Sequence, residues 1–154
     1  GVRVQMISGT HVLLLRDTAE ERYLPIPIGP NEASAIAYQL QEVRPERPLT
    51  HDLTTHAIHA LGARLREVRI VELRDEIYRA RAIIVGADNE ERELDARPSD
   101  AVALALRADA PIFVEHDLLV GMGIVPEAAE EEKLSLFRDF INSLDDSDPP
   151  PSSR

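Results

Sequence analysis

Residues 2–7 alternate apolar and polar side chains and residues 12–16 run apolar, so both read as strands, joined by a turn at Ser8-Gly9-Thr10. Tyr23 to Ile28 is a third extended piece, and Pro25 and Pro27 confine it to a sheet edge or to irregular backbone. Asn31 then reads as the cap of a helix through about Leu40, followed by a loop over Arg44–Pro48. Thr50 is the expected N-cap of a second helix, with Leu53, Ala57, Ala60 and Leu61 marking its apolar face and Gly62 its C′ stop. Two β-rich runs, Leu65–Leu73 and Ile77–Val85, flank Arg74-Asp75-Glu76 and predict a hairpin. In the second run Tyr78, Ala80, Ala82 and Ile84 share one face, and Arg79 and Arg81 share the other with Ile77 and Ile83. Leu94 falls in a further strand, Ser99 opens a helix to about Arg107, Pro111–Glu115 is a short strand, and a helical turn follows near Asp117–Gly121. Beyond Pro126, Glu127–Glu132 forms an acidic helix start, with Leu134, Phe137, Ile141 and Leu144 at helical spacing.

These elements predict an α/β (α+β) fold: a mixed sheet, helices packed on it, and a docked C-terminal helix. Residues 1–126 form the main domain, 127–144 the acidic amphipathic helix against it, and 145–154 a Pro-, Ser- and Asp-rich flexible tail. One grammar occurs twice. Glu20-Glu21-Arg22 leads through a strand to Gly29-Pro30-Asn31-Glu32-Ala33, and Glu90-Glu91-Arg92 leads likewise to Arg97-Pro98-Ser99-Asp100-Ala101. With Pro30 aligned to Pro98 and Glu20 to Glu90, an internal duplication of a β-β-α unit is the natural reading. The second copy carries Asp95 and Arg97 where the first has Pro27 and Gly29, so it is chemically the richer.

A chain of 154 residues has room for a sizeable hydrophobic core. Zero Cys excludes a disulfide framework, a thiolate metal site and a Cys nucleophile. No apolar run is long enough to span a bilayer and no leader-like segment opens the chain, so a cytoplasmic protein without membrane contact is expected. The first residue, Gly rather than Met, suggests processing. The net charge of −11 divides into 20 acidic against 14 basic residues over 1–126 and 8 against 3 over 127–154. Such a surface repels nucleic acid at long range, so any binding must rest on a local arrangement.

The densest chemistry lies at Asp95-Ala96-Arg97-Pro98-Ser99-Asp100, where a strand hands over to an apolar helix. Pro98 disfavours helix at Arg97, Ser99 can act as N-cap, and Asp100 suits the first turn, so the polar groups sit where helical N–H groups attract anions. Asp95 and Asp100 could hold Mg²⁺ or Mn²⁺ while Arg97 binds a phosphate oxygen. Equally, Arg97 could bridge Asp95 and Asp100 and do no more than lock the corner. Thr50-His51-Asp52 is the second cluster, with His51 and Asp52 a candidate general base or phosphate contact. His56 and His59 face one side of the same helix and could join Asp52 on a metal, although solvated helix histidines read the same way. Arg79 and Arg81 could track a phosphate backbone; cross-strand pairing with Glu67 or Glu72 explains them as well.

Leu24-Pro25-Ile26, Ile28-Gly29, Glu32-Ala33, Arg47-Pro48-Leu49-Thr50-His51-Asp52-Leu53, Leu61-Gly62, Val68-Arg69-Ile70, Tyr78-Arg79-Ala80 and Asp95 to Ala101 together resemble the bacterial bifunctional nuclease (BFN) domain family. Pro111 to Glu115 extends the likeness, and Phe137-Arg138-Asp139-Phe140 is similar to its closing helix, so that it covers about residues 2–144. It implies an α/β fold of its own type and hydrolysis of both DNA and RNA. Here Pro27 replaces a frequent aromatic residue, and His56 and His59 are peculiar to this chain. The expected function is a phosphodiester hydrolase of low sequence specificity, assisted by a divalent metal. Asp95 and Asp100 are its expected metal ligands and catalytic acids, and His51 with Asp52 the base or water-orienting pair. Arg97, Ser99, Thr50, Arg79 and Arg81 are the expected substrate contacts. A non-catalytic regulatory or scaffold domain is the alternative, and a free sheet edge or hairpin would fit a homo-oligomer.

Overall fold

The computed structural model describes residues 1–19 and 22–125. The acidic helix, the tail and the Phe137–Phe140 segment expected from the sequence lie outside the described residues, as do Glu20 and Glu21. Seven strands and four helices follow one another within the described residues: β1 (Val2–Ile7), β2 (Thr10–Arg16), β3 (Tyr23–Ile28), α1 (Pro30–Leu40), α2 (Thr50–Ala60), β4 (Arg64–Arg74), β5 (Ile77–Val85), β6 (Glu91–Ala96), α3 (Pro98–Ala108), β7 (Ile112–Val114) and α4 (His116–Met122). The strands divide into two sheets. One is an antiparallel meander, β1-β2-β3, and the other has the order β6-β5-β4-β7, antiparallel except where β7 runs parallel to β4. The fold is α+β, and the order strand, strand, helix occurs at β2-β3-α1 and again at β5-β6-α3.

Local chemistry explains the turns. Ser8 and Gly9 both take positive φ (52° and 76°), as do Asp75 and Glu76 (51° and 62°), the conformation that a tight two-residue hairpin turn requires. Strand β3 carries Pro25 and Pro27 and is an edge among the described residues: there β2 is its one strand partner, with a further bridge from Tyr23 to Ile124. Helix α2 stops at Gly62 (φ 71°), whose N–H bonds His59 O while the Ala63 N–H reaches Ile58 O, the double bond of a Schellman cap.

A single core joins both sheets. Leu13, Leu15, Leu24 and Ile26 from the first share one cluster with Leu65, Val68, Ile70, Ala80 and Ala82 from the second, and α3, packed on β4 and β5, adds Ala101, Val102, Ala103 and Ala105. Alanine at these positions lets α3 approach α1, α2, β4 and β5 together, because helix separation follows side-chain size. Helices α1 and α3 run side by side in the same direction. Arg97 at the start of α3 bonds Glu32 near the start of α1, and Gln39 near the end of α1 donates to Leu106 O near the end of α3.

The apolar face expected on α2 is not the face that packs. Leu53 and Leu61 are 64% and 79% exposed, and Thr55 is the buried residue of this helix. Polar bonds to α3 from His51 and Asp52 fix the rotation of α2, and they leave the leucines outside.

Candidate functional site

Three helices open with the same short grammar. The expected caps Asn31, Thr50 and Ser99 lie inside their helices, and the N-cap residues are Gly29, Leu49 and Arg97. Pro30 and Pro98 take the first helical position, where a missing N–H costs nothing and a fixed φ helps. Counting from those caps, the third helical position is Glu32 in α1, Asp52 in α2 and Asp100 in α3. A carboxylate there faces unpaired N–H groups and the positive end of the helix dipole. Asp52 shows the geometry directly, accepting the Leu49 N–H at 2.7 Å. Leu49 has no polar side chain to reciprocate, so this is half of a capping box.

The three openings meet. Asp100 accepts from Arg97 Nε through Oδ2 at 2.6 Å and lies 2.9 Å from His51 Nε2 through Oδ1. Arg97 Nη2 also donates to Glu32 Oε1 at 2.8 Å. The sequence Glu32–Arg97–Asp100–His51 thus links α1, α3 and α2 through side chains alone. Gly29 has a specific role here: a Cβ added to it would stand 2.3 Å from Glu32 Oε2, so the bare glycine lets that carboxylate fold back over the helix start.

Asp52 turns the other way. Its Oδ1 accepts from Arg107 Nε at 2.6 Å, and Arg107 donates further to Ala103 O and Ala35 O. The Arg107 side chain is 6% exposed. His51 and Asp52, expected to act as one pair, therefore serve different partners: Asp100 for the histidine, Arg107 for the aspartate.

Electrostatics keep all three acids ionised. Burial pushes Asp100 upward, but the bonds from Arg97 and His51 outweigh it and its pKa falls below the ordinary carboxylate range. Burial likewise raises Asp52, and Arg107 with the Leu49 N–H reverses the sign. Glu32 is lowered first by its backbone hydrogen bond and then by Arg97. The two carboxylates hold Arg97 well above its usual range, so its cation is permanent. Against an ionised Asp100, which can only accept, the proton of neutral His51 belongs on Nε2, and Nδ1 is left as the acceptor. Among the described residues nothing hydrogen-bonds to that Nδ1.

The other expected residues stand apart. Asp95 pairs with Arg81 across the β5–β6 ladder, and Arg79 Nε lies 3.6 Å from Glu72 on β4. Strand alternation puts Arg79, Arg81 and Asp95 on the face of the second sheet opposite to core residues Ala80 and Ala82, whereas α3 packs on the core side. The structure therefore does not bring Asp95 to Asp100. Arg97 bridges Asp100 to Glu32 rather than to Asp95. Ser99 is 5% exposed within α3, while Thr50 is exposed beside His51. His56 and His59 are both exposed, and no set of three His, Asp or Glu side chains fit to hold a metal ion occurs among the described residues. Glu32 and Arg107 escaped the sequence reading. Glu32 was within reach of it, because aligning Pro30 with Pro98 sets Glu32 opposite Asp100; for Arg107 no signal exists beyond a cation in the last helical turn.

An α+β domain in which three helix starts meet through Arg97 and the His51–Asp100 contact is thereby defined. The chain belongs to the bifunctional nuclease domain family, whose model matches residues 13–127. An uncharacterised protein of Mycobacterium tuberculosis is 42% identical over 157 aligned residues, which cover 96% of this chain and 93% of that protein. Bifunctional nuclease 1 of Oryza sativa subsp. japonica is 27% identical over 97% of this chain, and bifunctional nuclease 2 of the same plant 29% identical over 73%. The matches span 47% and 35% of the two rice proteins.

Proposed function

We propose that this protein hydrolyses phosphodiester bonds in DNA and RNA, and that the reaction takes place where the three helix starts meet. The observation that carries the reading is the contact between His51 Nε2 and the ionised Asp100, which orients an imidazole with a free basic nitrogen beside a fixed guanidinium. In this reading His51 Nδ1 takes the proton from an attacking water, and Asp100 stabilises the imidazolium that forms. Arg97, 64% exposed at its side chain, offers Nη1 to a non-bridging phosphate oxygen while Glu32 and Asp100 hold its other nitrogens. Thr50, exposed and adjacent to His51 in the first turn of α2, is in this reading a further contact to the phosphate. Membership of the bifunctional nuclease family and the names of the rice relatives support the substrate class.

The expected Mg²⁺ or Mn²⁺ does not fit the donors as arranged, because Arg97 already stands as the cation between Glu32 and Asp100. No step is routed through a metal. A scaffold role is favoured by one observation, the pairing of every carboxylate in the cluster within the chain. Cleavage of fluorescent single-stranded RNA and DNA by wild type and Asp100→Asn, with and without chelator, separates the two. Cleavage that survives chelation and drops about 10²–10⁴-fold in Asp100→Asn is expected. Wild-type protein without activity on either polymer would contradict hydrolysis and favour the scaffold, and cleavage abolished by chelation would restore the metal.

A further inference from the structure

The connection between α1 and α2 borders an open-sided recess of about 460 Å³, within the range of small-molecule sites. Its position is tied to the helix starts by one residue: Asp52, the neighbour of His51, forms part of its wall together with Arg107. Arg107 reaches back toward the N-terminus of its own helix to bond Ala103 O, so the ion pair sits level with Ala103. Ala103 and Asp100 are three residues apart in α3, about 4.5 Å of helical rise. The cavity therefore begins one turn from the Asp100–His51 contact.

Its lining has the chemistry of a ring site rather than a charge site. The ion pair is satisfied internally: both Asp52 oxygens and all three Arg107 nitrogens have protein partners, so a ligand meets no charge in need of compensation there. Val43, Pro45 and Pro48 supply apolar walls, and two proline rings offer flat faces. Gln39 spends one N–H on Leu106 O, and its side-chain carbonyl is left to accept from a ring edge. The Thr55 hydroxyl donates to His51 O and is likewise left to accept. Arg44 and His56 line the cavity too; the Arg44 cation suits a phosphate, with Glu46 beside it to limit the local positive charge.

We propose that this cavity takes one unstacked nucleobase of a single strand, which sets the adjoining phosphodiester against Arg97 and His51. The proposal deepens the hydrolytic reading and rests on it for the identity of the polymer. Duplex is disfavoured, because a base paired and stacked within a helix cannot settle between Val43, Pro45 and Pro48 without the cost of extrusion.

Binding can be read apart from cleavage, by the anisotropy of a fluorescein-labelled ten-nucleotide RNA and DNA, single-stranded and annealed, with AMP as an unlabelled competitor. Val43→Trp fills the cavity from a position that is 46% exposed, and Gln39→Ala is a milder second variant that removes only the edge contact. Single strands are expected to bind at least about tenfold more tightly than duplex, to be displaced by AMP, and to lose about tenfold or more in Val43→Trp. Gln39→Ala is expected to lose less, with thermal unfolding unchanged in both. Duplex bound as tightly as single strand, or single-strand binding indifferent to both substitutions, would overturn the assignment. Binding sensitive to Val43→Trp in a protein that cleaves nothing would leave the cavity standing and remove hydrolysis. Intact cleavage with insensitive binding would do the reverse.

Discussion

Arg97 carries the arrangement at the scale of single residues, because it joins two carboxylates from helices far apart in sequence and still presents an open edge to solvent. Its support can be weakened without touching it. Gly29→Ala places a methyl where Glu32 Oε2 now lies, and since Gly29 has an ordinary φ of −75°, the strain falls on the carboxylate and not on the backbone. Glu32 should then swing away from Arg97, lowering cleavage several-fold with a stability change within about 1 kcal/mol; an unchanged rate would show that Glu32 does not position the guanidinium. Much of this was legible in the sequence. The tract around Asp100 and the run around His51 announced themselves by charge density at helix starts. Their pairing did not, because whether the imidazole meets Asp52 or Asp100 depends on how α2 is rotated, and spacing along the chain does not encode that.

That rotation belongs to the scale of elements. The Leu53–Leu61 pattern on α2 suggested an apolar inner face, yet the inner face is set by His51, Asp52 and Thr55, three polar residues with partners on α3 or along α2 itself. A helix whose orientation rests on polar bonds should be sensitive to them. Arg107→Met keeps the bulk and removes the cation, leaving a part-buried Asp52 carboxylate with one backbone N–H; a loss of about 2–4 kcal/mol in urea unfolding is expected. A loss under about 0.5 kcal/mol would mean that α2 is held elsewhere. Helix α3 shows the opposite case, in which the sequence spoke plainly. It reads from Ser99 to about Arg107 as an apolar helix, and Ala101, Val102 and Ala103 are wholly buried. Ala103→Leu should overpack the junction with α1 and α2 and cost about 1–3 kcal/mol, measured by the same unfolding.

At the scale of the whole molecule, strand alternation separates what the sequence had grouped. Asp95, Arg79 and Arg81 belong to a salt-bridged outer sheet face, and the helix starts lie with α3 on the other; proximity along the chain concealed a sheet between them. The order of elements was readable, while the division into two sheets was not, because strand patterns do not say which strands pair. Three carboxylates with lowered pKa values tie stability to pH: their contribution is complete above the range in which the unfolded acids titrate, near pH 4, and is lost as pH falls through the lower folded-state values. Urea midpoints should hold level from pH 7 to 5 and fall below about pH 4, and Arg107→Met should fall less steeply. The net charge of −11 also bears on binding. With few phosphate contacts, the slope of log affinity for single strands against log salt should be shallower than about −2, and a much steeper slope would point to a basic surface elsewhere. The most direct measurement is cleavage of single-stranded RNA and DNA by His51→Gln beside wild type, with urea unfolding of both on the same preparations. Wild-type cleavage that falls about 10²–10⁴-fold in a variant of nearly unchanged stability is the expected result. Equal cleavage by the two proteins, or a variant that loses activity only by unfolding, would contradict a catalytic base where the three helices begin.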